Sequence, residues 1–212
     1  MRIQAVDERK RQLNEPYLIR VGGWTRERYL REAPDNQMWE FVGGEVIMHS
    51  PATAEHQRVV GFLYRLLAEY LETQNGGMVL TGPTAVDLLP EVTREPDLFV
   101  VAPEDAERAT GTPLAITPSL VIEVTSPSTR RMDLAEKAEE YARAGVPEYW
   151  AVDLPEAALV VHRRDRERYD TERLASDPVE SDAVAGFWIH AEWLFQSPLP
   201  SGRDCLQSIL NG

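Results

Sequence analysis

The chain has 212 residues, of which 43% are hydrophobic and 27% are charged, and this mixture is typical of a single globular domain. Its formal net charge of −13 at pH 7 argues against a protein that only coats nucleic acid, because such binding relies on a basic surface. The charge leaves room for an enzyme that meets phosphate through metal ions held by carboxylates. The single cysteine, Cys205, excludes an internal disulfide framework and a cysteine-based zinc cage.

The sequence predicts a cytoplasmic location without membrane contact. One cysteine fits a reducing compartment, and no apolar run reaches the roughly 18 residues that a transmembrane helix needs. The polar segment over residues 1–15 lacks the apolar stretch of a secretory signal. We expect residues 1–20 to form an irregular N-terminal arm, since they are charged and carry few apolar side chains.

The first half of the chain predicts a short helix, a hairpin and a long helix. Thr25 caps a helix over TRERYLREA, and Gly43-Gly44 joins the two strands of MWEFVGGEVIMHS. From Glu55 to Glu72 apolar residues recur at helical spacing, which predicts an amphipathic helix. The segment MVLTGPTAVDLL then predicts one or two strands, interrupted at Gly82-Pro83.

The second half predicts strands around one further helix. DLFVV and SLVIEV are short apolar strands of the buried kind, with a loop over residues 103–118 between them. SPSTRR opens a helix that ends at Gly145, and EYWAVD and ALVVHRR follow as a hairpin, with FWIHAEWLF packing back on the domain. This order predicts an α/β fold, a mixed sheet flanked by helices, with a parallel strand pair within residues 119–153.

Two carboxylates on the apolar strands are the first candidate site residues. Asp97 begins DLFVV, and Glu123 lies inside SLVIEV between Ile122 and Val124. An isolated charge in such a strand is costly to bury, so each carboxylate needs a cation, a metal ion or a proton. A structural ion pair with an arginine and a metal site both meet that need. Because two such carboxylates lie on strands that can be neighbours, the metal site and the structural ion pair are about equally well supported.

A lysine on the second predicted helix falls on the face that packs toward these strands. At about 100° per residue, Lys137 lies inside the apolar face of this helix. The apolar residues of that face are Leu134, Ala138, Tyr141 and Ala142. The charged residues of the opposite, solvated face are Glu136, Glu139, Glu140 and Arg143. Lys137 is therefore either an ammonium aimed at the strand carboxylates or a lysine that extends along the border of the face.

Two further residues fit an acidic site less specifically. His56 lies in the apolar arc of the long helix, where a histidine is more often part of the core. Glu45 shares a strand face with Ile47 and His49 beside the Gly-Gly turn, where a glutamate is usually solvated. Carboxylates with a lysine are used in phosphodiester hydrolysis, because the carboxylates hold Mg²⁺ and the lysine orients the nucleophile or stabilises developing charge.

No other catalytic motif competes with this set. The sequence has no glycine-rich phosphate loop ending in Lys-Ser/Thr, no dinucleotide fingerprint, no nucleophile elbow and no HExxH. Nucleotide hydrolysis by a P-loop, hydride transfer and zincin chemistry are therefore not predicted.

Several of these segments together resemble one known family. REPDLFVV, followed by PSLVIEVTSPSTRRMDLAEKAEEYARAGVPEYWAVD, resembles the Uma-two family of endonucleases, which belongs to the restriction-endonuclease-like PD-(D/E)xK superfamily. GGEVIMHSPATAEHQRVVGFLYRLLAEYLE and GPTAVDLL also match. The resemblance covers roughly residues 38–165 as a core and implies a restriction-endonuclease-like fold with an added N-terminal helix and hairpin. Residues 170–212 are expected to form a C-terminal extension of the same single domain.

The resemblance also implies roles for the candidate residues. Asp97 matches the aspartate of the PD pair and Glu123 the acidic residue of the next core strand, so both are expected to bind the metal. Lys137 matches the lysine of a D-L-x-E-K helix, while His56 and Glu45 match accessory catalytic residues.

One position departs from the superfamily pattern. The usual lysine lies two residues beyond the acidic strand residue, where this chain has Thr125. The resemblance implies that the lysine has moved to the helix, where Lys137 is found.

The resemblance implies a Mg²⁺-dependent endonuclease, with Mn²⁺ as a possible substitute ion. Nucleic acid is the expected partner, with DNA preferred and RNA left open, and a homodimer is expected because cutters of duplex DNA often pair two sites. The alternative is a restriction-endonuclease-like module that no longer cuts and binds a protein or nucleic acid. A weaker alternative is a metal-dependent hydrolase of a small phosphoester.

Overall fold

The computed structural model describes residues 17–34, 37–74 and 76–211, and the following elements lie within these ranges. The strands are β1 (Leu18–Gly22), β2 (Trp39–Val42), β3 (Glu45–His49), β4 (Met78–Thr81), β5 (Val86–Leu89), β6 (Val92–Arg94), β7 (Leu98–Val101), β8 (Leu120–Val124), β9 (Glu148–Asp153), β10 (Ala158–Asp165), β11 (Arg168–Leu174), β12 (Pro178–Glu180) and β13 (Trp188–His190). The α-helices are α1 (Arg26–Glu32), α2 (Ala54–Gln74), α3 (Ala138–Ala144) and α4 (Gly202–Asn211). A π-helical turn (Met132–Lys137) runs directly into α3, and short 3-10 helices cover Pro103–Arg108, Leu154–Glu156 and Ala191–Phe195.

A six-stranded mixed sheet forms the centre of the fold. Its strand order is β11-β10-β9-β8-β7-β4, and only the β8–β9 pair among these is parallel. The connection between β8 and β9 passes through the π-helical turn and α3, which ends where Gly145 adopts a left-handed conformation with φ 87°. Helix α2 packs on one face of this sheet, and α3 packs on the other. The expected α/β fold with a mixed sheet between helices is therefore confirmed.

A second sheet, with strand order β1-β3-β2-β6-β5, covers the far side of α3. Helix α3 thus packs against two sheets, and only a narrow stripe with Glu139 and Arg143 remains exposed. This arrangement corrects the prediction for Glu140, which was expected on a solvated face. The structure buries Glu140 against Arg94 of β6, because the second sheet occupies the space that the helical pattern assigned to water.

The hairpin, α1 and the long helix form as predicted. Thr25 accepts a hydrogen bond from the Arg28 amide at 3.2 Å, which caps α1. Gly43 and Gly44 have φ of 56° and 87°, conformations that suit the tight turn between β2 and β3. Helix α2 extends slightly beyond the predicted range at both ends.

Two loop predictions are wrong in part. The segment expected as an irregular arm over residues 1–20 contains the start of β1, which pairs with the edge of β3; residues 1–16 lie outside the described part of the chain. Strand β1 has the sequence LIRVG and is short and largely exposed, and it is ordered by backbone pairing with β3. The predicted loop over 103–118 contains the 3-10 helix at Pro103–Arg108.

The C-terminal segment packs against α2, as expected for FWIHAEWLF. Phe187 and Ile189 of this segment and Ile209 of α4 are buried in the same core as the inner face of α2. None of the helices in the described ranges has the length and apolar character needed to cross a membrane.

Candidate active site

The strand pairing places Asp97 opposite Glu123. Strands β7 and β8 are antiparallel, with Leu98 beside Ile122. Asp97, which directly precedes β7, therefore faces Glu123, which follows Ile122 in β8. Side chains of directly opposed residues lie on one face of a sheet. The Asp97 amide approaches the Glu123 Oε2 at 3.4 Å, and both carboxylates are largely buried. The expectation that these two strands are neighbours is therefore met.

The π-helical turn brings Lys137 to the same point. The Lys137 side chain is 3% exposed, and its Nζ lies 2.8 Å from Glu123 Oε1, 3.2 Å from Asp133 Oδ1 and 3.6 Å from Glu40 Oε1. Burial alone would lower the pKa of Lys137, but the three carboxylates hold it well above its usual value. The ammonium form therefore persists inside the protein. A π-helical turn is a frequent feature of functional sites.

Glu123 is held mainly through one of its two oxygens. Its Oε1 accepts hydrogen bonds from Lys137 and from the Tyr141 hydroxyl, the latter at 2.7 Å. Burial raises the pKa of Glu123 to about 8. The positive charge of Lys137 acts to lower this pKa, and the negative charge of Asp97 acts to raise it further. The sequence treated Tyr141 as a packing residue, whereas the structure gives it a direct role in orienting Glu123.

Asp97 is fixed by an imidazole and a backbone amide. His56 Nε2 lies 3.1 Å from Asp97 Oδ2, and the Val124 amide donates to the same oxygen at 2.8 Å. Burial would raise the pKa of Asp97, but His56 holds it below its usual value. Burial would lower the pKa of His56, but the hydrogen bond to Asp97 and the negative charge of Asp97 outweigh burial, so the pKa of His56 is raised. The pair is thus stabilised as imidazolium and carboxylate.

A buried ion network supports this cluster from the second sheet. Arg94 is fully buried and donates to Glu140 at 2.7 and 2.9 Å and to Glu40 at 2.8 Å. Glu40 also lies 2.8 Å from the His49 ring. Glu40 therefore links Arg94 to Lys137, because its Oε2 accepts from Arg94 and its Oε1 lies 3.6 Å from the Lys137 Nζ.

The structure brings together four of the five candidate residues, Asp97, Glu123, Lys137 and His56, and leaves the fifth apart. Glu45 begins β3 next to the hairpin turn, its side chain is 44% exposed, and it pairs with Arg20 at 3.5 Å. The glutamate of the hairpin that reaches Lys137 is Glu40.

Sequence reasoning missed Glu40, Asp133 and Arg94. Glu40 lies between Trp39 and Phe41, and strand alternation would place it on the opposite face from these aromatic residues, which gives no signal that it is buried. Asp133 precedes Lys137 by four residues, and this i, i+4 spacing was an available signal for their contact.

These side chains line a cavity at one end of the six-stranded sheet. About 50 Å³ of it is open to the centres of water-sized molecules, which is room for a few waters or ions at roughly 10–15 Å³ each. The polar residues that line it include His49, His56, Asp97, Glu123, Ser126, Ser128, Thr129, Asp133 and Lys137.

The donor set fits a hard divalent cation shared between protein and water. Mg²⁺ is commonly held by one or two carboxylates and several waters, whereas a zinc cage needs three or four side chains. Among the described residues no three His, Cys, Asp or Glu side chains converge as such a cage requires. Carboxylates also outnumber cationic groups in the cluster. The carboxylates are Glu40, Asp97, Glu123, Asp133 and Glu140, and the cationic groups are Lys137, Arg94 and the His56 imidazolium. A divalent cation beside Asp97 and Glu123 would offset this excess of negative charge.

Comparisons with known proteins identify the fold and the family of this chain. The crystal structure of a putative nuclease of Anabaena variabilis belonging to DUF820 matches with a TM-score of 0.69 at 16% identity, over 80% of this chain and 96% of that chain. This likeness establishes a shared restriction-endonuclease-like fold. A search of curated proteins gives no match. The model of the Uma2 family, described as "Putative restriction endonuclease", matches residues 26–192, a range that includes every candidate site residue and extends beyond the expected 38–165. The chain therefore belongs to the Uma2 family of putative restriction endonucleases.

Proposed function

We propose that the protein is a metal-dependent endonuclease that hydrolyses phosphodiester bonds of nucleic acid, with DNA as its substrate. The observation that carries the proposal is the pairing of Asp97 with Glu123 on adjacent strands, with the Lys137 ammonium 2.8 Å from Glu123. Family membership supports the same reaction class.

Asp97 and Glu123 are the residues that would hold one or two Mg²⁺ ions, with Mn²⁺ as a substitute. When bound, such ions lower the pKa of a water and neutralise the charge of the scissile phosphate. His56 and the Val124 amide fix one oxygen of Asp97, and Tyr141 and Lys137 fix one oxygen of Glu123. Asp97 therefore keeps its second oxygen for another ligand, and so does Glu123, whose Oε2 has only a long contact of 3.4 Å with the Asp97 amide among the described residues.

Lys137 supplies the cationic group of the proposed site. Its ammonium has three protons, and two of them have acceptors within 3.2 Å, on Glu123 and Asp133. The contact with Glu40 is longer, at 3.6 Å, so the proton on that side is the one that an attacking water or a phosphoryl oxygen would accept in place of Glu40. A charged donor in such a buried site stabilises negative charge that develops in the transition state.

Cleavage of supercoiled plasmid DNA in Mg²⁺ or Mn²⁺, with Asp97→Asn beside the wild type, tests this proposal. The asparagine oxygen can still accept from the Val124 amide, so we expect the fold to persist. We expect the cleavage rate to fall by roughly 100-fold or more, as for the loss of other preorganised electrostatic groups. A nicked product indicates one acting site, and a linear product indicates two acting together, as in the expected homodimer.

The matched control is Asp182→Asn, which makes the same chemical change at a side chain that is 72% exposed and pairs with Arg163. Equal cleavage by wild type and Asp97→Asn would refute the assignment. Wild-type protein that binds DNA without cutting it would favour the non-cutting module. Parallel reactions with single-stranded RNA decide between the two nucleic acids.

A further inference from the structure

A groove leads away from the candidate active site between α2 and β4, the edge strand of the six-stranded sheet. The groove and the cavity both have Asp97 and Met38 in their linings, so they lie side by side. On the helical side its wall is formed by Gln57, Gly61 and Tyr64, which lie at spacings of four and three residues on one stripe of α2. About 450 Å³ of the groove is open to the centres of water-sized molecules. The stripe begins one residue after His56, which contacts Asp97.

Gly61 keeps this groove open. Glycine is among the poorest residues for a helix interior, and Gly61 lies in the middle of α2. A Cβ atom built at Gly61 would meet no atom within 4 Å, so the packing of the protein does not require a glycine there. A longer side chain at this position would extend into the groove. The space that Gly61 preserves is therefore space for something other than this protein's own atoms.

The lining of the groove matches a flat, uncharged ligand with polar edges. The Tyr64 side chain is 42% exposed, which is unusual for a large aromatic residue and leaves its ring free for stacking. Thr81 and Thr84 line the opposite wall, and within the described residues their hydroxyls make no hydrogen bond. Among the described residues that line the groove, Asp97 is the only charged one. This part of the lining therefore offers no cation to a phosphate.

We propose that this groove is a base-binding subsite that receives the nucleobase adjoining the scissile phosphate. The base stacks on Tyr64 and turns its polar edge toward Thr81 and Thr84. From Gln57 to Tyr64 the stripe spans about 10 Å along the helix axis, which suits one unpaired nucleotide rather than a duplex. The inference rests on the proposed function, since the phosphate next to this base is the one placed at Asp97. It predicts that the protein acts on unpaired or locally opened nucleic acid.

Binding of a short fluorescein-labelled oligothymidylate, measured by fluorescence anisotropy with Ca²⁺ in place of Mg²⁺, tests the subsite. Tyr64→Ala should weaken binding roughly tenfold, the usual loss for one base–aromatic stack, while Tyr64→Phe keeps wild-type affinity. Gly61→Leu should weaken binding to a similar degree by filling the groove. The matched control Gly61→Ala adds one methyl group and should bind as the wild type does. Thermal melting of both Gly61 variants should show a transition at or above the wild-type temperature, because both residues are better helix formers than glycine.

The same assay with an abasic oligonucleotide separates base binding from phosphate binding. We expect wild-type protein to bind the abasic probe about as weakly as Tyr64→Ala binds oligothymidylate. Equal affinity of the wild type for the two probes would overturn the subsite, and so would unchanged affinity in both Tyr64→Ala and Gly61→Leu. Cleavage of supercoiled plasmid and of single-stranded DNA by the wild type judges the proposed function separately, so a subsite that binds bases in a protein that cuts neither would remain recognisable as such.

Discussion

Removing a single hydroxyl, in Tyr141→Phe, tests how the orientation of Glu123 controls the proposed metal site. The Tyr141 hydroxyl donates to Glu123 Oε1 at 2.7 Å, and both groups are buried. A hydrogen bond to a charged group contributes about 1.5–3 kcal/mol, and Lys137 still satisfies the same oxygen in the variant. We therefore expect a loss of about 1.5 kcal/mol, which lowers the Tm by roughly 3–6 °C in a chain of this size.

The larger effect should appear in metal binding. Without Tyr141 the Glu123 carboxylate can rotate about its contact with Lys137, so its free oxygen is no longer held in place. Loss of a group that orients a metal ligand typically weakens metal affinity by about 10–100-fold. Calorimetric titration of Mn²⁺ into wild type and Tyr141→Phe measures this change, and scanning calorimetry measures the stability.

Tyr149→Phe is the matched control for this experiment. Its ring lies 4.9 Å from that of Tyr141, it is equally buried, and its hydroxyl donates to the Asp133 backbone carbonyl at 2.8 Å rather than to Glu123. We expect a comparable loss of stability with Mn²⁺ affinity retained. Equal Mn²⁺ affinities for Tyr141→Phe and the wild type, or an equal weakening in both variants, would refute the argument that Tyr141 acts through Glu123.

Two further predictions concern stability. Arg94→Met leaves Glu40 and Glu140 buried without their shared cation, which should cost about 3–5 kcal/mol in urea unfolding; an unchanged midpoint would contradict the network. Burial lowers the pKa of His162 to about 4, from 6.5 in the unfolded chain, so the unfolded state binds a proton first as the pH falls. Stability that is complete above pH 6.5 should decline toward pH 4 by about 3 kcal/mol, and His162→Phe should remove that part of the slope. Parallel pH profiles for His162→Phe and the wild type would show that the slope arises elsewhere.

The elements and the central residues of the site follow from local patterns in the sequence. Asp97 and Glu123 stand out because each interrupts a short apolar strand, and Lys137 because it interrupts the apolar face of a helix. Each of these patterns spans only a few residues. Because the strands and the helix bury their apolar faces against one another, the charged side chains on those faces come close together. The burial of Lys137 agrees with the helical period even though a π-helical turn replaces the expected α-helical geometry.

The surrounding network could not be predicted in this way. Glu140 was assigned to solvent, and Glu40 was not recognised, because helical period and strand alternation report which side of an element is polar, not what lies against that side. The second sheet covers both residues, and Arg94 then compensates them. Glu45 and Glu40 lie on the same hairpin, and only the packing of that hairpin over α3 decides which of them reaches Lys137.

The position of the lysine shows why atomic placement matters more than spacing in the sequence. A lysine at Thr125 would share a strand face with Glu123, two residues away, and would reach its carboxylate from the strand itself. Lys137 reaches the same carboxylate from a helix, at 2.8 Å, but a buried ammonium on a helix needs acceptors on its other sides. Asp133 and Glu40 provide them, and Glu40 in turn requires Arg94. The second sheet is therefore part of the proposed catalytic site, because it carries the residues that make a helix-borne lysine possible.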